Sequence, residues 1–382
     1  MTASFYEFFA GGGMARAGLG HQWRCLFAND FDRKKAYTYR LNWRDDVMLC
    51  DDIRDVSTTQ LPDVADLAWA SFPCQDLSLA GGGAGLRGER SGTFWPFWHL
   101  VTKLRQEGRA PAIIAVENVC GTLTSHGGRD FEEICRALSA GGYRYGALIV
   151  DAAFFLPQSR PRLILVAVRN GVPVPERLSA DAPSGPFHPK ALRTAADRLP
   201  AKLRQHWIWW SLSAPQPRNL ALCDLIQDDP PDVPWHTPDQ TATLLGMMSD
   251  VNLEKLRMAK SERRIIVGTI YKRTRRDELG HRIQRAEARF DGIAGCLRTP
   301  VGGSSRQLIV VINGDKVRTR LISSRETARL MGLPDEYVLP TNYNEAYHLT
   351  GDGVAVPVVR FVAAHVLEPI LLHRDAQRRQ AA

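Results

Sequence analysis

No two of the seven cysteines (Cys25, Cys50, Cys74, Cys120, Cys135, Cys223, Cys296) are spaced as Cys-x-x-Cys. That removes the usual support for a structural zinc site or a dithiol redox centre, and no metal is expected. An odd, dispersed set behind an N-terminus with no secretory pattern suggests a reducing cytoplasm. No apolar run approaches the length of about 20 residues needed to cross a bilayer, so no membrane partner is expected. The first glycine cluster, Gly11-Gly12-Gly13, is not spaced as Gly-x-Gly-x-x-Gly. Acidic residues are in deficit, 41 against 49 Lys and Arg, for a net charge of +8. The imbalance is local. Between Lys255 and Phe290 twelve cations meet only Glu262, Asp277, Glu278 and Glu287, and a concentrated basic segment favours a phosphate backbone as partner.

What is present reads as two domains in 382 residues. Ser4 to Phe9 is a strand that runs into a glycine turn, Gly11-Gly12-Gly13, and then a helix, a turn that lets backbone approach a ligand. A second strand, Arg24 to Ala28, ends in Asn29-Asp30-Phe31-Asp32. Acidic groups there suit ribose hydroxyls, Asp30 better than Asp32, which could cap the next helix. A third strand, Val47 to Leu49, leads to Cys50-Asp51-Asp52-Ile53, where a carboxylate could accept from an adenine amine. Leu67 to Ala70 is a buried parallel strand that delivers Ser71-Phe72-Pro73-Cys74-Gln75 to the sheet edge, followed by a Gly-rich stretch from Ala80 to Gly85. Ile113 to Val116 delivers Glu117-Asn118-Val119, a carboxyl held by rigid backbone. Tyr145 to Asp151 and Leu163 to Val168 form a hairpin around Gln158-Ser159-Arg160-Pro161-Arg162. The two arginines, at i and i+2, are expected to share one face as a twin positive site. The Pro-rich stretch from Val172 to Pro186 reads as a linker. Beyond it, the cluster His206-Trp207-Ile208-Trp209-Trp210 reads as local core or a domain interface, and Arg298 and Arg306 flank a glycine loop suited to DNA. Val354 to Leu372 is apolar at helical spacing, interrupted by Pro357 and Pro369, and Arg374 to Arg379 is expected to fray.

Taken in order, these residues resemble the cytosine-5 DNA methyltransferase family. Phe9-Ala10-Gly11-Gly12-Gly13, Pro73-Cys74-Gln75, Glu117-Asn118-Val119 and Gln158-Ser159-Arg160-Pro161-Arg162 are similar to its motifs. So are Arg320 to Asp335 and Gly351-Asp352-Gly353-Val354. The chain departs from the pattern at Met14, where glycine is usual, at Asp352, where asparagine is usual, and in the Ala/Gly run after Cys74.

The resemblance implies an α/β fold: a Rossmann-like S-adenosylmethionine-dependent methyltransferase sheet with a second, smaller DNA target-recognition domain. Residues 1–172 with 346–382 would form the catalytic domain and 173–345 the recognition domain. Cys74 would add to carbon 6 of a flipped-out cytosine, with Glu117, Arg160 and Arg162 as catalytic partners. Phe9, Ala10, Gly11, Gly13, Asp30, Phe31, Asp52, Ile53, Pro73, Phe94 and Asp352 would bind S-adenosylmethionine, released as S-adenosylhomocysteine. Gln75, Ser78, Arg298, Gly302, Gly303 and Arg306 would touch double-stranded DNA. A monomer is expected, either with a cognate restriction endonuclease as functional partner or as an orphan bacterial methylase. A tRNA-methylating enzyme of the same fold and a non-catalytic DNA-binding homologue are the alternatives.

Overall fold

The structure is a computed structural model that describes residues 2–44, 46–73, 91–262, 264–276, 280–298 and 306–381. The chain divides into two compact units. The first comprises Met1–Asp151, Pro161–Gln216 and Val354–Ala382, the second Ala152–Arg160 and Pro217–Gly353.

The first unit is built on β1 (Ala3–Phe8), α1 (Met14–Leu19), β2 (Trp23–Asn29), α2 (Arg33–Trp43), β3 (Met48–Leu49), β4 (Leu67–Ala70), α3 (Phe94–Gln106), β5 (Ile113–Val119), α4 (Arg129–Ala140), β6 (Tyr143–Asp151) and β7 (Pro161–Arg169). Its seven strands run in the order β3-β2-β1-β4-β5-β7-β6. β1 to β5 are parallel, and β7 runs antiparallel to both β5 and β6. The strand order reverses between β1 and β4, which makes that edge the place where such sheets hold ligands. Every residue of β4 is buried, because helices cover both faces of a parallel sheet and only apolar side chains suit both sides.

After β7 come β8 (Ser179–Ala180), α5 (Lys190–Arg198), α6 (Ala201–Arg204) and β9 (Trp209–Trp210). The boundary expected at residue 172 is therefore not where the units part. The segment to Gln216 belongs with the sheet, because backbone bonds fasten it to the β6 edge. Tyr145 N donates to His206 O, Ile208 N to Tyr145 O and Ile149 N to Phe187 O. An exposed edge strand is a pairing hazard, and this segment covers it. Gly146 makes the approach possible, since a Cβ there would lie 1.9 Å from Ile208 O. Trp207 packs edge-on against Phe131 and Tyr145, and Trp210 is fully buried. The cluster is core, as the sequence suggests, but core of the first unit.

The second unit holds α7 (Pro238–Gly246), α8 (Asp250–Ser261), β10 (Ile266–Arg276), β11 (Arg282–Arg289), β12 (Leu308–Asn313), β13 (Lys316–Leu321), α9 (Ser324–Leu330) and α10 (Tyr343–Asp352). Its four-stranded sheet is antiparallel, in the order β11-β10-β12-β13. One face packs Ile266, Ile270, Leu308, Val310 and Ile312 against Leu244 and Leu256. The loop between β6 and β7 is counted here: Ser159 N donates to Ala294 O, and Gln158 Nε2 bonds Met331 Sδ at 3.5 Å.

The chain closes with α11 (Val356–Val362) and α12 (Glu368–Ala381), back in the first unit. Gly18 of α1 lets α11 approach so closely that a Cβ would fall 2.4 Å from that of Val359. Pro357 opens α11, where a missing N–H costs nothing. Pro369 sits just after a single π turn, Ala363–Leu367, the local widening that relieves a proline in a continuing helix. The basic end does not fray: α12 runs to Ala381, and Arg374 Nη1 bonds Asp66 at 2.7 Å. By length and composition the helical stretch 343–380 could cross a membrane, yet 61% of its most apolar window is buried within the protein.

Candidate active site

Four strand ends of the first unit carry the functional side chains expected from the sequence. At the end of β1, Phe9 takes φ +58 and Gly11 φ +55, which turns the chain sharply. Gly11 N donates 2.8 Å to Asp30 Oδ2 at the end of β2, and Asp32 N donates 2.9 Å to Asp30 Oδ1. Asp30 is 7% exposed, and burial pushes its carboxyl up. Asp32 is the N-cap of α2, accepting from Lys34 N and Lys35 N. Beside them the ring of Phe31 is 68% exposed. Beyond β3, Asp52 is held below the usual carboxylate range by its bonds from Arg54. Ala10, Ile53 and Phe94 are buried, and Phe94 stacks on Trp98 within the aromatic core. Asp352, the last residue of α10, is exposed in the second unit.

The turn has a buried support that the sequence motifs do not announce. Glu7 of β1 is 1% exposed. Arg16 N donates to Glu7 Oε1 at 3.2 Å and the Tyr39 hydroxyl to Oε2 at 3.3 Å. Arg16 Nη1 bonds the Tyr39 hydroxyl, and its guanidinium lies 4.7 Å from the Trp43 ring centroid. Gly13, at φ +80, lies so close to Trp43 that a Cβ would come within 2.1 Å of its Nε1. Burial pushes the Glu7 carboxyl up to about 8. The available signal is a lone charge inside an otherwise aromatic strand, Phe5-Tyr6-Glu7-Phe8-Phe9.

At the end of β5, Glu117 is 6% exposed, and Arg162 Nε lies 3.1 Å from its Oε1. β7 starts where β5 ends, with Val119 paired to Arg162, so the antiparallel strand brings its arginine to the same edge. Asn118 Nδ2 donates 3.2 Å to Phe72 O, and its Oδ1 accepts from Val119 N and Thr122 Oγ1. That bond fixes the backbone entering Pro73. Cys74, Gln75 and Ser78 lie outside the described residues, as do Gly302 and Gly303. Cys120 follows the same strand; burial pushes its thiol up, against the opposing charge of Arg162.

Arg160 and Arg162 take different partners. Arg160 is fully buried, donating to Leu297 O at 2.9 Å and to Gly351 O and Gly353 O at 2.6 Å each, all in the second unit. Arg162 is the second residue of β7, whereas Arg160 precedes the strand, so the alternation of an extended strand does not govern both. Arg298 is exposed. Arg306 bonds Asn344 and lies over the Tyr343 ring. Among the described residues no group of three or more His, Cys, Asp or Glu is arranged to hold a metal ion.

The family profile of C-5 cytosine-specific DNA methylases matches residues 3–368. The chain is 23% identical over 352 residues to the type II methyltransferase M.Bsp6I of Bacillus sp. (strain RFL6), covering 91% of this chain and 92% of that protein. It is 24% identical over 365 residues to M.HhaI of Haemophilus parahaemolyticus, covering 95% and 93%. Among solved structures it is similar to the Dnmt2 methyltransferase of S. pombe, with a TM-score of 0.58 at 16% identity over 96% of this chain and 99% of that one. The profile match over nearly the whole chain establishes that it belongs to the C-5 cytosine-specific DNA methylase family.

Proposed function

We propose that the protein methylates carbon 5 of cytosine in a specific duplex DNA sequence, as the modification enzyme of a restriction-modification system. The observation that carries this reading is the Glu117–Arg162 pair at the sheet edge, beside the Phe72 backbone that Asn118 fixes ahead of Cys74.

The residues at the other strand ends suit S-adenosylmethionine. Gly11 has nothing within 4 Å of where a Cβ would sit, so the turn offers room for a ligand. Asp30 is a buried acceptor for ribose hydroxyls, each oxygen keeping a second lone pair beside the N–H it already takes. The exposed Phe31 ring offers a face to an adenine, and Asp52 an acceptor for its amine. Bound there, S-adenosylmethionine supplies an electrophilic methyl group.

The chain's own residues handle the base. Cytosine must leave the stack to be reached. The Cys74 thiolate adds to carbon 6, forming a C–S bond and making carbon 5 nucleophilic, which is covalent catalysis. Glu117 hydrogen-bonds ring nitrogen 3 and the exocyclic amine, where charge changes as sulfur adds. Arg162 holds the Glu117 carboxylate and reaches the ring carbonyl oxygen. After carbon 5 is methylated, its proton leaves to water and the C–S bond breaks, which restores the aromatic ring and the thiolate. Arg160, tied to three carbonyls, fixes the loop that precedes Arg162.

Labelled S-adenosylmethionine offered with duplex DNA, with tRNA or with neither tests this. Label is expected on DNA alone and is lost in Cys74→Ser. Label on tRNA alone, or undiminished transfer by Cys74→Ser, overturns it. Bisulfite sequencing of the product then reads out the target sequence.

A further inference from the structure

The β10–β11 ribbon outruns its own sheet. β12 pairs with β10 only from Ile266 to Ile270, whereas β11 stays paired with β10 as far as Arg276 opposite Arg282. The last five pairs, from Lys272–Ala286 outward, are therefore a two-stranded ribbon with no third strand. At about 3.3 Å per residue it extends roughly 17 Å past Tyr271. Its β10 half ends in four exposed residues, Arg273 to Arg276.

The charge on this ribbon is arranged against its own stability. Two of the five pairs set arginine directly opposite arginine: Arg273 with Arg285, and Arg276 with Arg282. Like charges in direct cross-strand register are destabilising. One carboxylate, Glu287, takes both Arg273, with Nε at 3.1 Å, and Arg275, with Nε at 2.8 Å. Arg276 Nη1 turns to the Gly280 carbonyl. Among the described residues, no carboxylate forms an ion pair with Arg282 or Arg285. Asp277 and Glu278, at the connection between the strands, lie outside the described residues. Six cations (Lys272, Arg273, Arg275, Arg276, Arg282, Arg285) thus stand on a narrow strand pair, alternating between its two faces. A core-forming role would select against such register. An anion on each side of the ribbon would reward it.

We propose that the β10–β11 ribbon is a DNA-backbone clamp: it enters the major groove and its opposed arginines bind phosphates on the two walls. The groove, roughly 12 Å wide, admits a two-stranded ribbon. A ribbon with cations on both faces meets a strand backbone on either side, and each Arg–Arg pair becomes favourable once a phosphate lies between or beside its guanidiniums. Such phosphate bonds position the protein on the duplex and carry no sequence information, which is left to other parts of the second unit. The proposal rests on the reading that the substrate is duplex DNA.

The full chain is titrated with duplex DNA at a series of salt concentrations, as parent, as Arg276→Gln/Arg282→Gln and as Arg276→Lys/Arg282→Lys. The glutamine pair is expected to weaken binding, raise KM for DNA, and lower the slope of log Kd against log salt by about two, one for each phosphate that is no longer neutralised. The lysine pair is expected to keep the parental slope. S-adenosylhomocysteine binding by calorimetry, which stays at the parental value, shows that the variants are folded. A glutamine pair with the parental slope and KM, in a parent that methylates DNA, overturns the clamp alone. A parent that methylates only tRNA overturns the underlying reading together with the clamp.

Discussion

The two units solve burial differently. In the first, a mostly parallel sheet is covered on both faces, and its strands are apolar runs whose last residues carry the candidate site. In the second, an antiparallel sheet has one apolar face and one that buries polar groups. Thr269, Gln307 and Arg320 are each fully buried there. Register places the first and the last together: Thr269 pairs with Ile309, and Ile309 with Arg320, so both lie on the face away from the apolar core. Arg320 forms a two-point ion pair with Glu326, with Nη1–Oε2 at 2.8 Å and Nη2–Oε1 at 2.5 Å, and both side chains are fully buried. Glu326 also accepts from Ser323 N and Gln227 N. The first unit is held by volume and the second partly by direction, which makes the second sensitive to single polar deletions.

The largest break in that comparison is Glu326→Ala. It leaves Arg320 charged and buried with no carboxylate, and is expected to cost about 3–5 kcal/mol. In denaturant titrations of the full chain, probes in the second unit should lose their transition midpoint ahead of the tryptophans of the first; a common, unshifted transition would refute the contrast. The counterpart in the first unit is Gly146→Ala, which forces a methyl against Ile208 O. Overpacking of this kind costs about 1–3 kcal/mol, and increased protease cleavage between residues 179 and 216 would show that the edge cover has been pushed off.

A smaller effect sharpens one of the places where the first unit also buries an ionisable group. Burial raises the Glu7 carboxyl from 4.5 to about 8, so the folded state holds a proton that the unfolded state has lost. That stability is complete below the unfolded value and declines as pH rises toward about 8. Glu7→Gln cannot ionise and should lose less. The melting temperature of the parent, relative to the variant, is expected to fall between mildly acidic and mildly alkaline buffer; a constant difference would show that Glu7 does not titrate in that window. The smallest change is Asp32→Ala, which removes the α2 N-cap at a cost of about 1 kcal/mol. Because Asp30 and Phe31 immediately precede that cap, S-adenosylhomocysteine binding should weaken in the same variant while thermal stability falls only slightly.

The same contrast explains what can be read from the sequence. Apolar runs that end in Asp30, Glu117 or Pro73 announce strand ends, because strands buried on both faces are built mostly of apolar residues up to their edge. Arg320 looks like a surface residue in a list of letters; only its register turns it inward. The prolines from Val172 to Pro186 suggest a linker, yet backbone bonds from Tyr145 and Ile149 fasten Phe187, His206 and Ile208 to the sheet. Those bonds leave no trace in side-chain type. Arg160 and Arg162 read as one site because spacing assigns faces only within a strand. Glu7 is visible as an anomaly, but its meaning depends on Arg16 and Tyr39, which come to it from separate helices.

The return of α11 to α1 has a consequence for the order in which the protein is made. α1 leaves the ribosome early, with Gly18 and Leu19 shaped to receive a helix that begins at Val356, roughly 340 residues later. At ordinary elongation rates the delay is on the order of tens of seconds. Throughout it the part of α1 that receives α11 stays uncovered beside the glycine turn, and the second unit can be completed first. A chain halted before residue 354 would hold every strand of the sheet and still lack the helix that seals it. Completion of synthesis thereby becomes a condition for a finished catalytic unit.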